Sequence, residues 1–227
     1  MNTILVVEDE DILREVIIDY LMEDGYQALG AADGEKALEL FQGNSIDLLI
    51  LDIVLPKLDG WSVCRRIREN SSIPIIILTA RSDEDDSLLG YELGADDYLI
   101  KPYSPRVLMA KVKRFLEKYS AIVDDLDENL ISAGGIEMNL ESRIVYIDGK
   151  TVNLTYTEFE ILAYLMENKG IVITREQIIN RIWGYDFYGD EKTVNSHIRN
   201  LRAKLGSKGK CIVTVIRSGY KYQGEQL

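Results

Sequence analysis

The strongest constraint on this chain is an alternation in its first 120 residues. Short apolar runs, Ile4–Val7, Leu48–Leu51, Ile75–Leu78 and Tyr98–Ile100, are separated by stretches whose apolar residues recur at helical spacing. The runs are too short for helices and suit strands buried on both faces of a parallel sheet. Gln27–Ala31 is a weaker fifth run. Leu13, Val16, Ile17, Tyr20 and Leu21 fall at i, i+3, i+4, i+7 and i+8, with Gly25 as a stop, and Val107, Leu108, Val112, Phe115 and Leu116 close the series. Five strands alternating with five helices predict a doubly wound, flavodoxin-like α/β sheet for residues 1–120.

Residues 121–129 break the pattern. Asp124, Asp125, Asp127 and Glu128 make a short acidic stretch that reads as a linker. Residues 130–227 follow another order. Strand-like segments at Ile136–Met138, Ile144–Ile147 and Thr151–Leu154 surround an Asp148-Gly149 hairpin signal. Helical patterns at Thr157–Asn168, Thr174–Trp183 and Lys192–Leu205 come next, then a second hairpin around Arg217-Ser218-Gly219. Strands, three helices and a terminal hairpin predict a compact α+β unit of the winged-helix kind.

In an open α/β sheet, ligands bind at the carboxyl ends of the strands. Here those ends carry Glu8 and Asp9, Asp52, Thr79 and Lys101. Carboxylates so placed suit Mg²⁺, which usually takes one or two of them together with phosphate oxygens. A carboxylate can also attack phosphorus to give an aspartyl phosphate. The charge on the phosphoryl oxygens then calls for a cation and a hydroxyl donor, roles open to Lys101 and Thr79. A phosphatase with an aspartate nucleophile would need a second acid two residues on, where Val54 stands. Gly149-Lys150-Thr151 mimics the end of a P-loop, but Ile144 occupies the position of its first glycine. Neither enzymatic reading is adopted, and no enzyme activity is expected.

Net charge is −12, which for the whole chain argues against nucleic acid. Its distribution argues otherwise. Residues 1–120 hold 13 Lys/Arg against 23 Asp/Glu, and residues 121–227 hold 13 against 15. Residues 192–222 hold Lys192, Arg199, Arg202, Lys204, Lys208, Lys210, Arg217 and Lys221 and no acid. A cationic stretch inside an acidic chain is the footprint of phosphate binding. On a helix over 192–205, Val194, Ile198, Leu201 and Leu205 share one face. Lys192, Ser196, Arg199 and Ala203 point the other way, flanked by Asn195, Asn200 and Arg202. Arg and Asn can read base edges in the major groove, and Lys mostly meets phosphate. His197, the one histidine, lies between the two faces, a position suited to a phosphate hydrogen bond.

Val6-Val7-Glu8-Asp9-Glu10, Leu51-Asp52-Ile53-Val54-Leu55-Pro56 with Asp59-Gly60, Leu78-Thr79-Ala80, and Gly94-Ala95-Asp96-Asp97-Tyr98 with Lys101-Pro102 resemble the receiver domain of bacterial two-component response regulators. Leu154-Thr155 to Leu165, Arg175–Trp183, residues 193–205 and Gly219-Tyr220 resemble the winged-helix effector of the OmpR/PhoB subfamily. The resemblance implies that Asp52 accepts phosphate from a sensor histidine kinase. It implies a Mg²⁺ site of Glu8, Asp9, Asp52 and the Val54 backbone carbonyl, a Thr79 and Tyr98 switch pair, and a phosphate contact from Lys101 with a cis Lys101-Pro102 bond. It further implies a recognition helix at 192–205 and a minor-groove wing around 212–222, where Arg217 stands one position away from the usual basic residue.

Subfamily receivers pair through interchain salt bridges. Asp96 and Asp97 match the acidic partners and Lys111 and Lys118 the basic ones, while Ser87 and Val107 replace a further ion pair. Exposed pairs contribute about 0–1 kcal/mol each, so a weaker homodimer on phosphorylation is expected rather than none. The implied partners are the kinase and double-stranded promoter DNA, with RNA polymerase a further candidate. No apolar window approaches 18 residues and the N-terminus is unlike a signal peptide, so a cytoplasmic protein without membrane attachment is expected. The rival reading is a constitutive DNA-binding protein whose receiver only dimerises it.

Overall fold

Two separate hydrophobic patterns build two separate cores. In the computed structural model the chain divides into units Met1–Ala121 and Ile122–Leu227. It describes residues 1–80, 90–120, 130–184 and 191–224, with the side chains of 118–120 excepted. The acidic stretch 121–129 lies outside the described residues.

The first unit is a five-stranded parallel sheet of order β2-β1-β3-β4-β5. Its strands are β1 (Thr3–Val7), β2 (Gln27–Ala31), β3 (Leu48–Asp52), β4 (Ile75–Thr79) and β5 (Asp97–Ile100). Helices α1 (Asp11–Glu23), α2 (Gly34–Gly43), α3 (Gly60–Arg68) and α4 (Pro105–Ser120) flank it, and residues 90–93 are helical as well. All residues of β3 and β4 are buried, which is why these strands read as unbroken apolar runs. Asp33 and Asp59 cap α2 and α3 by accepting from the Lys36 and Ser62 backbone N–H groups, at 2.8 and 3.0 Å. The inward face of α1 is narrower than its periodicity predicts. Ile17 and Leu21 are buried, but Val16 and Tyr20 meet solvent.

The second unit opens with an antiparallel sheet of order β6-β7-β8-β9: β6 (Leu130–Ala133), β7 (Ile136–Asn139), β8 (Ile144–Ile147) and β9 (Lys150–Val152). Asp148 and Gly149, at φ 49° and 77°, make the predicted turn between β8 and β9. Leu154 lies beyond β9, buried ahead of the next helix. Helices α5 (Tyr156–Glu167), α6 (Arg175–Ile182) and α7 (Glu191–Leu205) surround a core that includes Trp183, Ile198, Leu201 and Tyr222. Capping boxes Thr155/Glu158 and Thr174/Gln177 start α5 and α6. The chain closes in a hairpin of β11 (Ile212–Val215) and β12 (Gly219–Tyr222). Strand β10 (Ile173–Thr174) pairs on β12, giving the order β10-β12-β11. The sequence reading missed β6 and β10. The first alternates only weakly, and the second is two residues long and exists only through its pairing.

Candidate functional site: an acidic pocket and a cationic helix

Parallel pairing brings the ends of β1, β3, β4 and β5 to one edge of the first sheet, and the chemistry-bearing residues arrive with them. Glu8, Asp52 and Thr79 are buried there and Asp9 is exposed. One carboxylate oxygen from each of Glu8, Asp9 and Asp52 lies within 4.8 Å of the others. Three carboxylates with no histidine or thiol form a hard oxygen donor set, the chemistry that Mg²⁺ requires. The Lys101 ammonium bridges the cluster, 2.7 Å from Glu8 and in direct contact with Asp52 Oδ2. Asp52 Oδ1 accepts from the Val54 backbone N–H at 3.0 Å, and the Arg14 guanidinium donates to the Glu8 carbonyl at 2.7 Å.

Burial, reinforced by the Asp52 charge, lifts the Glu8 carboxyl above its usual range against the opposing hold of Lys101. Burial alone would lower the Lys101 pKa. Hydrogen bonds to Asp52 and Glu8, together with their charges, outweigh it and hold the ammonium above its ordinary value. A pocket in which one cation is shared between two desolvated carboxylates gains from a further positive charge. The Lys101-Pro102 bond is cis, and the Lys101 N–H donates to the Thr79 carbonyl at 2.7 Å. Tyr98 is half-buried, its ring 4.9 Å from Tyr91 and 6.4 Å from Trp61.

Gly60 fixes the loop that follows Asp52. A Cβ there would lie 2.2 Å from the Asp52 carbonyl oxygen and 2.7 Å from the Ile53 Cα, both backbone atoms that cannot step aside. Gly60→Ala is therefore expected to cost more than about 2 kcal/mol. Differential scanning calorimetry would show the receiver transition lowered by roughly 10 °C, and an unchanged transition would mean that the loop is free to move.

The four residues assigned to interchain ion pairs behave differently. Asp96 is fully buried, accepting from Arg68 at 2.7 Å and from the Ile75 N–H at 3.0 Å. Asp97 is fully buried as well, bound to Lys111 at 2.7 Å and Arg114 at 2.8 Å in the same chain. Asp96, Asp97 and Lys111 thus serve the fold within one chain, because the start of β5 lies inside the unit rather than on its surface. The Lys118 side chain and Ser87 lie outside the described residues; Val107 is exposed.

On α7, Lys192, Asn195 and Arg199 are exposed and Asn200 and Arg202 are half-buried. Asn195 Oδ1 accepts from Tyr220 Oη at 2.7 Å and from Arg175 Nε at 3.0 Å. Arg202 donates to the Ile212 carbonyl and to Thr214 Oγ1, the latter at 2.9 Å, and ties the helix to the hairpin. Lys204 bonds the buried Glu158 at 2.6 Å. Three sequence-predicted DNA contacts are corrected, Arg202 because its guanidinium is held by the hairpin and two more because they are buried. Ser196 is buried, and His197 is fully buried with its ring centroid 5.5 Å from that of Trp183, so neither side chain can meet a phosphate from here. The buried face is wider than one helical stripe, and Trp183 at the end of α6 packs against it at His197. Arg217 stands exposed at the hairpin turn with φ 62°. Arg175, packed over the Tyr220 ring at 4.9 Å, carried no sequence signal because its partners are distant in the chain.

A switch-like acidic pocket at the strand ends of a receiver sheet, followed by a winged helix with a cationic helix, defines a signal-controlled DNA-binding regulator. Residues 4–113 match the family described as response regulator receiver domain, and residues 149–222 match that described as transcriptional regulatory protein, C terminal. The sensory transduction protein RegX3 of Mycolicibacterium smegmatis is 40% identical over 229 residues, spanning 99% of this chain and 100% of that one. The transcriptional regulatory protein YclJ of Bacillus subtilis is 42% identical over 222 residues, spanning 96% and 98%. The structure of DrrB, an OmpR/PhoB homologue of Thermotoga maritima, covers 99% of this chain and 100% of its own at 31% identity and a TM-score of 0.53. The chain belongs to the response regulators with an OmpR/PhoB-type output domain, and it is a phosphorylation-dependent transcriptional regulator of a two-component system. Among the described residues no helix is long and apolar enough to cross a membrane.

Proposed function

We propose that Asp52 is the phosphoacceptor and that Glu8, Asp9, Asp52 and the Val54 carbonyl hold a Mg²⁺ ion. The observation that carries this reading is the shared Lys101 ammonium beside three clustered carboxylates. An Asp52 carboxylate oxygen attacks the phosphorus of a kinase phosphohistidine; the O–P bond forms as the P–N bond breaks, and the imidazole leaves with its electron pair. Mg²⁺, when bound, offsets the negative charge gathered on the phosphoryl oxygens. Lys101 turns from Glu8 towards that charge, and the Thr79 hydroxyl donates to it. Tyr98 follows Thr79 inward, which biases the face of residues 83–118 towards a symmetric homodimer.

The dimer sets two winged helices on tandem or palindromic half-sites about one helical turn apart. Lys192, Asn195, Arg199 and Asn200 meet the major groove and Arg217 the minor groove. The sensor kinase and promoter DNA are the partners, RNA polymerase is a further one, and the protein works in the cytoplasm without a catalytic turnover of its own. Incubation with acetyl phosphate is expected to add a single phosphoryl group, visible in the intact mass, only when Mg²⁺ is present. Light scattering of the same sample should show a shift from monomer to dimer. An adduct that forms equally in excess chelator would refute the metal assignment.

A further inference from the structure

Tyr103 stands two residues beyond Lys101, just ahead of α4. Its ring is half-buried but its hydroxyl oxygen is shut off from solvent, and among the described residues that hydroxyl has no hydrogen-bond partner. Buried hydroxyls almost always have one. The surroundings make the gap informative. Burial pushes the Tyr103 phenol far above its ordinary range, and the charges of Glu8 and Asp52 push it further, so the group stays protonated and feels both carboxylates. Yet neither carboxylate takes its proton. Lys101 bonds Glu8 Oε2 and Asp52 Oδ2 and the Val54 N–H bonds Asp52 Oδ1, and none of these oxygens accepts from Tyr103.

A neutral donor that feels the charge of an anionic pocket and, among the described residues, bonds none of them is placed to serve an oxygen that they do not supply. We propose that the Tyr103 hydroxyl is a ligand-contacting donor of the acidic pocket, giving its hydrogen bond to an oxygen that enters with the cation or with the phosphoryl group. This rests on the assignment of the pocket to Mg²⁺ and phosphate. The two sources share one chemistry, an electron-rich oxygen: water on the divalent ion, or a phosphoryl oxygen on Asp52.

Tyr103→Phe tests the proposal, because it keeps the ring and removes only the hydroxyl. The full chain is titrated with magnesium chloride by isothermal calorimetry, then with beryllofluoride at saturating Mg²⁺ as a stand-in for the phosphoryl group. A roughly tenfold weaker affinity for Mg²⁺ alone, the scale of loss seen when a partner in the outer shell of a metal is removed, places the bond on a metal-bound water. A comparable loss confined to the beryllofluoride arm places it on a phosphoryl oxygen. Either result supports the proposal when the ligand-free variant melts at or above the wild-type temperature, as removal of an unpaired buried hydroxyl predicts. Equal affinities of wild type and variant in both arms overturn it. A wild-type protein that binds neither probe overturns the pocket assignment and the proposal together.

Discussion

Asp52→Asn is expected to remove the phosphoryl adduct altogether and to leave the protein monomeric whatever the phosphodonor concentration. The amide has no anionic oxygen with which to attack phosphorus, and the pocket loses one of its three clustered carboxylates. Shape is nearly preserved. The Val54 N–H can still donate to the side-chain carbonyl, where it now meets Asp52 Oδ1 at 3.0 Å. Lys101 keeps Glu8 at 2.7 Å as a partner, so the ammonium is not left buried alone. The variant should therefore fold and lose its chemistry, which separates a failed switch from a failed fold. Intact mass after acetyl phosphate treatment, with thermal melting as a control, reads both. A folded Asp52→Asn protein that is dimeric with or without phosphodonor would sink the mechanism and favour a receiver that dimerises without a signal.

The second large effect concerns two arginines that look alike in the sequence and differ in the fold. Arg199 is exposed on α7, whereas Arg202 holds the Ile212 carbonyl and Thr214 of β11. With a mixed-sequence DNA duplex as probe, Arg199→Ala should weaken binding by roughly 5- to 100-fold and flatten the slope of log affinity against log salt by about one. Because the side chain is exposed, the substitution should lower the melting temperature by no more than a few degrees. Arg202→Ala should weaken binding too, but through the hairpin. Loss of its charged hydrogen bonds costs about 1–2 kcal/mol and lowers the melting of the second unit. Fluorescence anisotropy across a salt series and calorimetry separate the two. If Arg199→Ala keeps both its affinity and its salt slope, the DNA face lies elsewhere.

The corrections at Ser196 and His197 have one origin. Ser196 and His197 fall on or near the polar side of a helical wheel, yet both are buried, His197 with its ring against Trp183. A wheel describes one helix in isolation, and burial depends on what packs beside it. Asp96 and Asp97 show the same limit in the receiver. Two adjacent acids read as surface charge until Arg68, Lys111 and Arg114 are seen to converge on them from two other helices.

Sequence alone determined the parallel sheet, the winged helix and the residues of the acidic pocket. Each follows from local rules: apolar runs of strand length, helical spacing, and the placement of ligands at the carboxyl ends of parallel strands. Strand ends identify the pocket because topology carries them to one edge whatever the details of packing. Tertiary structure decided which of the charged residues hold the fold together. It tied Asp96, Asp97, Lys111, Arg202 and Lys204 to partners up to 46 positions away in the chain. It also left the Tyr103 hydroxyl buried and within reach of the charges of Glu8 and Asp52. Hydrogen bonds and desolvation act over a few ångströms of space, and periodicity along a chain carries no record of which distant side chains close that distance.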